Sequence, residues 1–212
     1  MLRIDRTTFT GGIDKPFRVK FFDAVVDQAI YERLLATFPT EESMQPLDAV
    51  GRKYSLNDRN DSFAGFIAHR PEWQNLHRWF RAEFARLCNE VLGVTTEGRA
   101  RVRFEFSSLP GDDGGLYPHP DTEKKVATAV LYCEPDWQAE WGGGFEALRH
   151  LTDPDADFTN RRPSWEEVET ILTVPVTPRR ILFMQRTNNS LHGVRPLHAG
   201  RARHSVTVNL IG

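Results

Sequence analysis

Two cysteines in 212 residues, Cys88 and Cys133, are too few for a disulfide framework. Each stands in a periodic apolar stretch, which reads as a small buried thiol and sets aside zinc-finger and redox chemistry. No apolar run approaches the length of a bilayer span, and the opening MLRIDRTTFTGGIDK lacks the basic-then-apolar layout of a secretory signal. A cytoplasmic protein with no membrane partner is therefore expected. Charge of one sign is also missing: a net charge of -2 gives no electrostatic footprint for nucleic acid. Internal repeats and low-complexity tracts are absent, which argues against a solenoid. What is present, with 40% hydrophobic and 26% charged residues, is a globular chain long enough to bury a core. Residues 1–212 read as a single domain, and the expected partner is a small molecule or a peptide.

The pattern changes along the chain. Residues 1–95 read as mainly helical. Apolar positions Ile30, Leu34, Leu35 and Phe38 follow helical spacing up to Pro39. A clearer helix begins at Pro71, runs through Leu76, Phe80, Phe84, Leu87 and Val91, and stops at Gly93. The polar stretch between them, GRKYSLNDRNDSF at 51–63, reads as a long loop. Residues 96–212 read as strands, at about 101–106, 126–133, 168–174, 180–184 and 205–211. In the last, Val206, Val208 and Leu210 face one way while Arg203, Ser205, Thr207 and Asn209 form a polar face. Gly142-Gly143-Gly144 reads as a turn entering a strand. The expected fold is mainly β with flanking helices (α+β), a jelly-roll core with the N-terminal helices packed outside.

The segment Tyr117-Pro118-His119-Pro120-Asp121 places an imidazole and a carboxylate on the same side of an extended chain, so both can reach one metal ion. An HxD tripeptide alone is weak evidence, but His192 follows the strand at 180–184 and a turn at 187–190, which can bring a third ligand back to the first two. Two imidazoles and one carboxylate on one face of an octahedral ion leave open positions, the layout suited to Fe(II) binding a chelating co-substrate and dioxygen (O2) together. Arg203 opens the last strand, where a guanidinium fork can pair with the far carboxylate of a chelated 2-oxoglutarate. Arg201 is the neighbouring candidate, and Arg203 is preferred because R-x-S runs directly into the alternating strand. Tyr132 lies where its hydroxyl can serve as a further donor. The polar residues Arg103 and Glu105, with 51–63, are candidates for the substrate wall.

Four ordered stretches, LPGDDGGLYPHPD, VATAVLYCEPDW with WGGGFEAL, ILFMQ...LHGV and RHSVTVNL, resemble the Fe(II)/2-oxoglutarate dioxygenases, in particular their prolyl-hydroxylase branch. The resemblance covers about Phe104 to Asn209. It implies a double-stranded β-helix, iron on His119, Asp121 and His192, and 2-oxoglutarate on Arg203 with help from Tyr132, Ser205 and Thr207. The implied reaction converts 2-oxoglutarate to succinate and CO2 while hydroxylating an amino acid, a peptidyl residue or another small molecule. Asp121 argues for hydroxylation, or desaturation, over halogenation, since related halogenases carry a small residue there. Two other readings of the same residues are a cupin-like metal-binding sensor, which needs no Arg203, and a zinc hydrolase.

Overall fold

The computed structural model describes residues 2–96, 100–112, 114–198 and 200–212. A hairpin of β1 (Phe9–Ile13) and β2 (Val19–Phe22) precedes helix α1 (Gln28–Leu35), whose first turn is capped by the Asp27 side chain accepting from the N–H groups of Ala29 and Ile30. A second hairpin, β3 (Gln45–Leu47) and β4 (Lys53–Asn57), leads into α2 (Asp61–Ala68) and α3 (Pro71–Leu92). Strands β5 (Arg101–Leu109), β6 (Leu116–His119), β7 (Lys125–Tyr132) and β8 (Phe145–His150) follow. The chain continues through β9 (Val168–Val174), β10 (Ile181–Gln185), β11 (His192–Val194) and β12 (Arg203–Ile211).

Helix α3 forms where the sequence predicts it. Pro71 sits in the first turn, where its missing N–H costs nothing, and Gly93 adopts a φ of 63° to close the C-terminus on the Asn89 carbonyl. Between these stops Trp73, Leu76, Phe80, Phe84 and Leu87 are buried along one face.

The strands form two antiparallel sheets. The larger runs β1-β2-β10-β7-β12-β5-β4-β3 and the smaller β6-β11-β8-β9. Two cores result. One lies between the helices and the outer face of the large sheet, built on Phe80, Phe84, Phe104, Phe106, Phe183, Val206 and Val208. The other lies between the sheets, with Val19, Tyr132, Phe145, Ala147, Leu182, Met184 and Val194. This is the jelly-roll core with helices outside. Phe106 is at the centre of the first core, its ring 4.7 Å from Trp73, 5.2 Å from Phe66, 5.3 Å from Phe104 and 5.5 Å from Phe38. Phe106→Ala is expected to cost about 3–5 kcal/mol of stability, measured as a lower urea midpoint at an unchanged m-value.

The structure corrects the reading of residues 51–63 as a long loop: β4 occupies its middle and α2 begins at Asp61. Tyr54 and Leu56 of β4 pack on the helix-side core, while Ser55 and Asn57 face the interior between the sheets, so only two apolar positions mark this five-residue strand in an otherwise polar stretch. Strands β1 to β4 also lie within the first 95 residues, at both edges of the large sheet, beside the helices expected there. They are short, and Gly11 and Gly12 of β1 obscure its period.

Candidate active site

β11 pairs with β6 so that His192 lies directly opposite His119. Their rings are 4.5 Å apart, and the His192 ring also stacks on Phe145. Asp121, two residues beyond β6, joins them, and one donor atom from each of the three residues lies within 4.8 Å of the others. All three side chains are buried. His119 Nδ1 is 2.6 Å from the Tyr117 carbonyl oxygen, and His192 Nδ1 is 3.0 Å from that of Ser190. A carbonyl only accepts, so each Nδ1 carries the proton and donates, and each Nε2 is left as a free lone pair. The sequence spacing gave no sign of this tautomer control; it arises because each ring reaches back to the carbonyl two residues earlier in the chain.

The electrostatics of the cluster fit a cation. Burial, and next the neighbouring His192, push the His119 pKa down to about 3, and burial does the same in direction to His192, so both imidazoles are neutral. Burial alone would raise the Asp121 carboxyl, but Lys125 and the two histidines outweigh it and hold it well below the usual range. Neutral imidazoles and an ionised carboxylate are the protonation states that metal ligation requires. The donor set of two nitrogens and one carboxylate oxygen suits Fe(II).

Two partners of the Asp121 carboxylate escaped the sequence reading. Lys125 donates to its Oδ1 at 2.5 Å, and the Thr128 hydroxyl lies 2.6 Å from its Oδ2. The same hydroxyl is 3.0 Å from Asn209. Thr128 and Asn209 are cross-strand partners on the large sheet, so the carboxylate is tied to the sheet opposite the histidines. The four-residue offset of Lys125 from Asp121 was visible, but only the turn into β7 brings the two together.

At the other end of β12's inward face lies Arg203, 4% exposed. Its Nη1 donates to the Gly143 carbonyl at 2.6 Å, and its Nη2 is 3.4 Å from the Ser205 hydroxyl. Its Nε is buried without a partner, and no carboxylate pairs with the group among the described residues. Arg201 differs: it pairs with Glu134 at 2.9 Å and Asp136 at 3.2 Å and its side chain is 39% exposed. Of the two arginines, Arg203 is thus the one with unspent donors in the interior. A dicarboxylate that chelates a cation and has a second acid group fits this orphaned guanidinium.

Tyr132 is brought to the same place, but its hydroxyl is not free as expected. It donates to the Val174 carbonyl at 3.2 Å and accepts from the Phe145 N–H at 3.1 Å, while its ring lies 5.5 Å from the Arg203 guanidinium carbon. The residue is wholly buried, and a buried phenol satisfies its oxygen on backbone when no ligand competes. Ser205 adjoins Arg203, and Thr207 lies two residues further along the same face, opposite Glu105 on β5. Glu105 pairs with Lys53 at 2.7 Å, and Arg103 is 3.6 Å from Asp58. Asp113, inside the LPGDDGGLYPHPD stretch, lies outside the described residues.

Residues 104–211 match the family described as the 2OG-Fe(II) oxygenase superfamily. The chain belongs to that superfamily. It is an oxygenase that depends on Fe(II), 2-oxoglutarate and dioxygen. No curated protein matches this oxygenase by sequence. Among solved structures it is similar to a prolyl-4-hydroxylase from Pseudomonas putida, with 15% identity, a TM-score of 0.55 and 91% of both chains covered. It is also similar to a prolyl hydroxylase from Trichoplax adhaerens, solved in complex with a hypoxia inducible factor oxygen degradation domain peptide fragment. There the identity is 14%, the TM-score 0.60 and the coverage 91% of this chain and 83% of that one. A third is HygX from Streptomyces hygroscopicus with nickel and 2-oxoglutarate bound, with 13% identity, a TM-score of 0.57 and coverage of 91% and 82%. At these identities the likenesses establish the fold. No described helix of the oxygenase is long and apolar enough to cross a membrane.

Proposed function

We propose that His119, Asp121 and His192 hold Fe(II), that Arg203 receives the far carboxylate of 2-oxoglutarate, and that the enzyme hydroxylates an amino acid, a peptidyl residue or another small molecule. The observation that carries this reading is the buried Arg203 guanidinium, which has no acid partner and an unbonded Nε on the interior face that leads to the His119–Asp121–His192 cluster. The iron, when bound with its co-substrate and dioxygen, supplies the oxidising chemistry that yields succinate, CO2 and a hydroxylated product. The chain's own residues do the rest. The Tyr117 and Ser190 carbonyls fix the imidazole tautomers, Lys125 and Thr128 fix the carboxylate, and Gly143 and the Tyr132 ring aim Arg203. Ser205 and Thr207 line the path between the two ends.

We read residues 1–212 as one oxygenase domain, because β1 to β4 complete the large sheet on which the site is built. The free, buried thiols of Cys88 and Cys133 support a reducing, cytoplasmic setting. The test is an anaerobic titration of the Fe(II)-loaded protein with 2-oxoglutarate, following the visible charge-transfer band of the chelate. The wild type is expected to develop the band, and Arg203→Ala to need at least about 10-fold more co-substrate, since a charge-assisted pairing contributes about 1.5–3 kcal/mol. Absence of the band at every concentration in the wild type would defeat the proposal.

A further inference from the structure

Between the candidate metal ligands and the β4 edge of the large sheet, the interior wall carries an ion pair that neither the metal nor the co-substrate uses. Lys53 Nζ donates to Glu105 Oε1 at 2.7 Å, with side-chain exposures of 13% and 15%. The pair faces the interior. Glu105 stands directly opposite Thr207 of β12, and Ser55, two residues along β4 from Lys53, stands opposite Ser107, whose other neighbour is Ser205. Lys125, which is bonded to Asp121, also acts electrostatically on Glu105. From the metal cluster outward the wall therefore runs Asp121, Lys125, Glu105, Lys53, with charges alternating and summing to zero.

Stability does not account for such a pair. Desolvating two charges offsets most of their attraction, and apolar side chains of similar volume at such places are often equally or more stabilising. The β4–β5 ladder already holds these strands together through its backbone. Burial pushes the Glu105 carboxyl up, yet Lys53, Lys125 and Ser55 together hold it below its ordinary value, so the group stays an anion on this wall. Lys53 Nζ has three N–H donors and spends one on Glu105.

We propose that Lys53 and Glu105 are the specificity-determining residues for the substrate, and that this substrate is a free α-amino acid bound as a zwitterion. Its ammonium goes to Glu105 and its carboxylate to Lys53, so one internal ion pair is exchanged for two pairs with the ligand and no charge is left uncompensated. A residue inside a peptide, whose backbone amides carry no charge, offers nothing to either group and leaves the pair closed on itself. The inference rests on the reading of the His119–Asp121–His192 and Arg203 centre given above.

The experiment keeps the two readings separate. The anaerobic Fe(II)–2-oxoglutarate complex is mixed in turn with each of the twenty proteinogenic amino acids and with their N-acetyl carboxamide counterparts, and the chelate band is followed for the shift that accompanies displacement of water near the metal. At least one free amino acid is expected to shift the band, and its blocked counterpart is expected to need at least about 100-fold more, the loss of two charge-assisted contacts. Glu105→Gln is expected to weaken the response of the free amino acid by more than about 10-fold. The double variant Lys53→Met/Glu105→Leu, which leaves no unpaired buried charge and so retains its fold, is expected to abolish the response while still forming the chelate band. Loss of the chelate band in the wild type would instead count against the underlying centre. With the band present, a null response to all twenty amino acids, equal responses to free and blocked forms, or a wild-type response from the double variant would each overturn the amino-acid proposal.

Discussion

Asp121→Ala is expected to leave the protein without retained iron, its affinity for Fe(II) or Mn(II) falling by more than about 100-fold. Outer partners of a metal ligand alone typically contribute about 10–100-fold, and a ligand contributes more. The arrangement around Asp121 enlarges the effect. Its carboxylate neutralises the Lys125 ammonium 2.5 Å away. Without it, the cluster presents an unpaired ammonium to an incoming divalent cation. At an effective dielectric of about 20, even two unit charges 4 Å apart interact by about 4 kcal/mol, and here the sign is repulsive. Metal content after dialysis, together with titration by Mn(II), measures the loss. The pair Asp121→Ala/Lys125→Met is expected to regain part of the affinity, because the repulsion is gone although the ligand is still missing. Retention of iron at wild-type stoichiometry by Asp121→Ala would remove Asp121 from the ligand set.

Gly143→Ala is expected to weaken 2-oxoglutarate binding by at least about 10-fold while leaving metal affinity unchanged. Gly143 has a φ of 75°, and a Cβ built on it would stand 2.6 Å from Leu197 Cδ2 and 3.2 Å from Arg203 Cδ. The same residue's carbonyl accepts from Arg203 Nη1. A methyl group here therefore pushes on the arginine stem and strains the backbone that orients its fork. Gly142→Ala is the matched control: its φ is 71°, yet the nearest atom to its Cβ would be the Pro196 carbonyl oxygen at 3.8 Å. Both positions have a positive φ that L side chains rarely adopt, so both variants lose thermal stability, but only Gly143→Ala is expected to raise the co-substrate requirement for the chelate band. Equal shifts in the two would mean that backbone strain, and not the position of Arg203, controls the site.

Much of this arrangement was legible because it depends on short-range pattern. The stops of α3 are a proline and a glycine, and β9 is a run rich in β-branched residues, so both lie where the sequence places them. The HxD segment and His192 could be joined because both abut strands, and the register then put the histidines opposite each other. β4 was not legible, since its inward face is polar for the sake of the barrel interior and only Tyr54 and Leu56 mark the core-facing side. Neither was the choice between Arg201 and Arg203 decided by spacing. It depends on which guanidinium meets acids, and Glu134 and Asp136 come to Arg201 only through the turn after β7. The Lys125–Asp121–Thr128–Asn209 chain joins a turn to two neighbouring strands of the other sheet, a relation that no local periodicity encodes.

That chain has a mechanical side. His119 and His192 belong to the small sheet, while Asp121 is fastened through Thr128 to the large one. A cation shared by all three is a rivet between the layers at this end of the roll, and its binding energy becomes resistance to their separation. At a free metal concentration one hundred times its dissociation constant, the native state gains about 2.7 kcal/mol over the unfolded chain. The stripped protein should therefore open first along the seam between β6 and β7, with amides there exchanging with solvent sooner than those of β12 and β5, which are paired along their whole length.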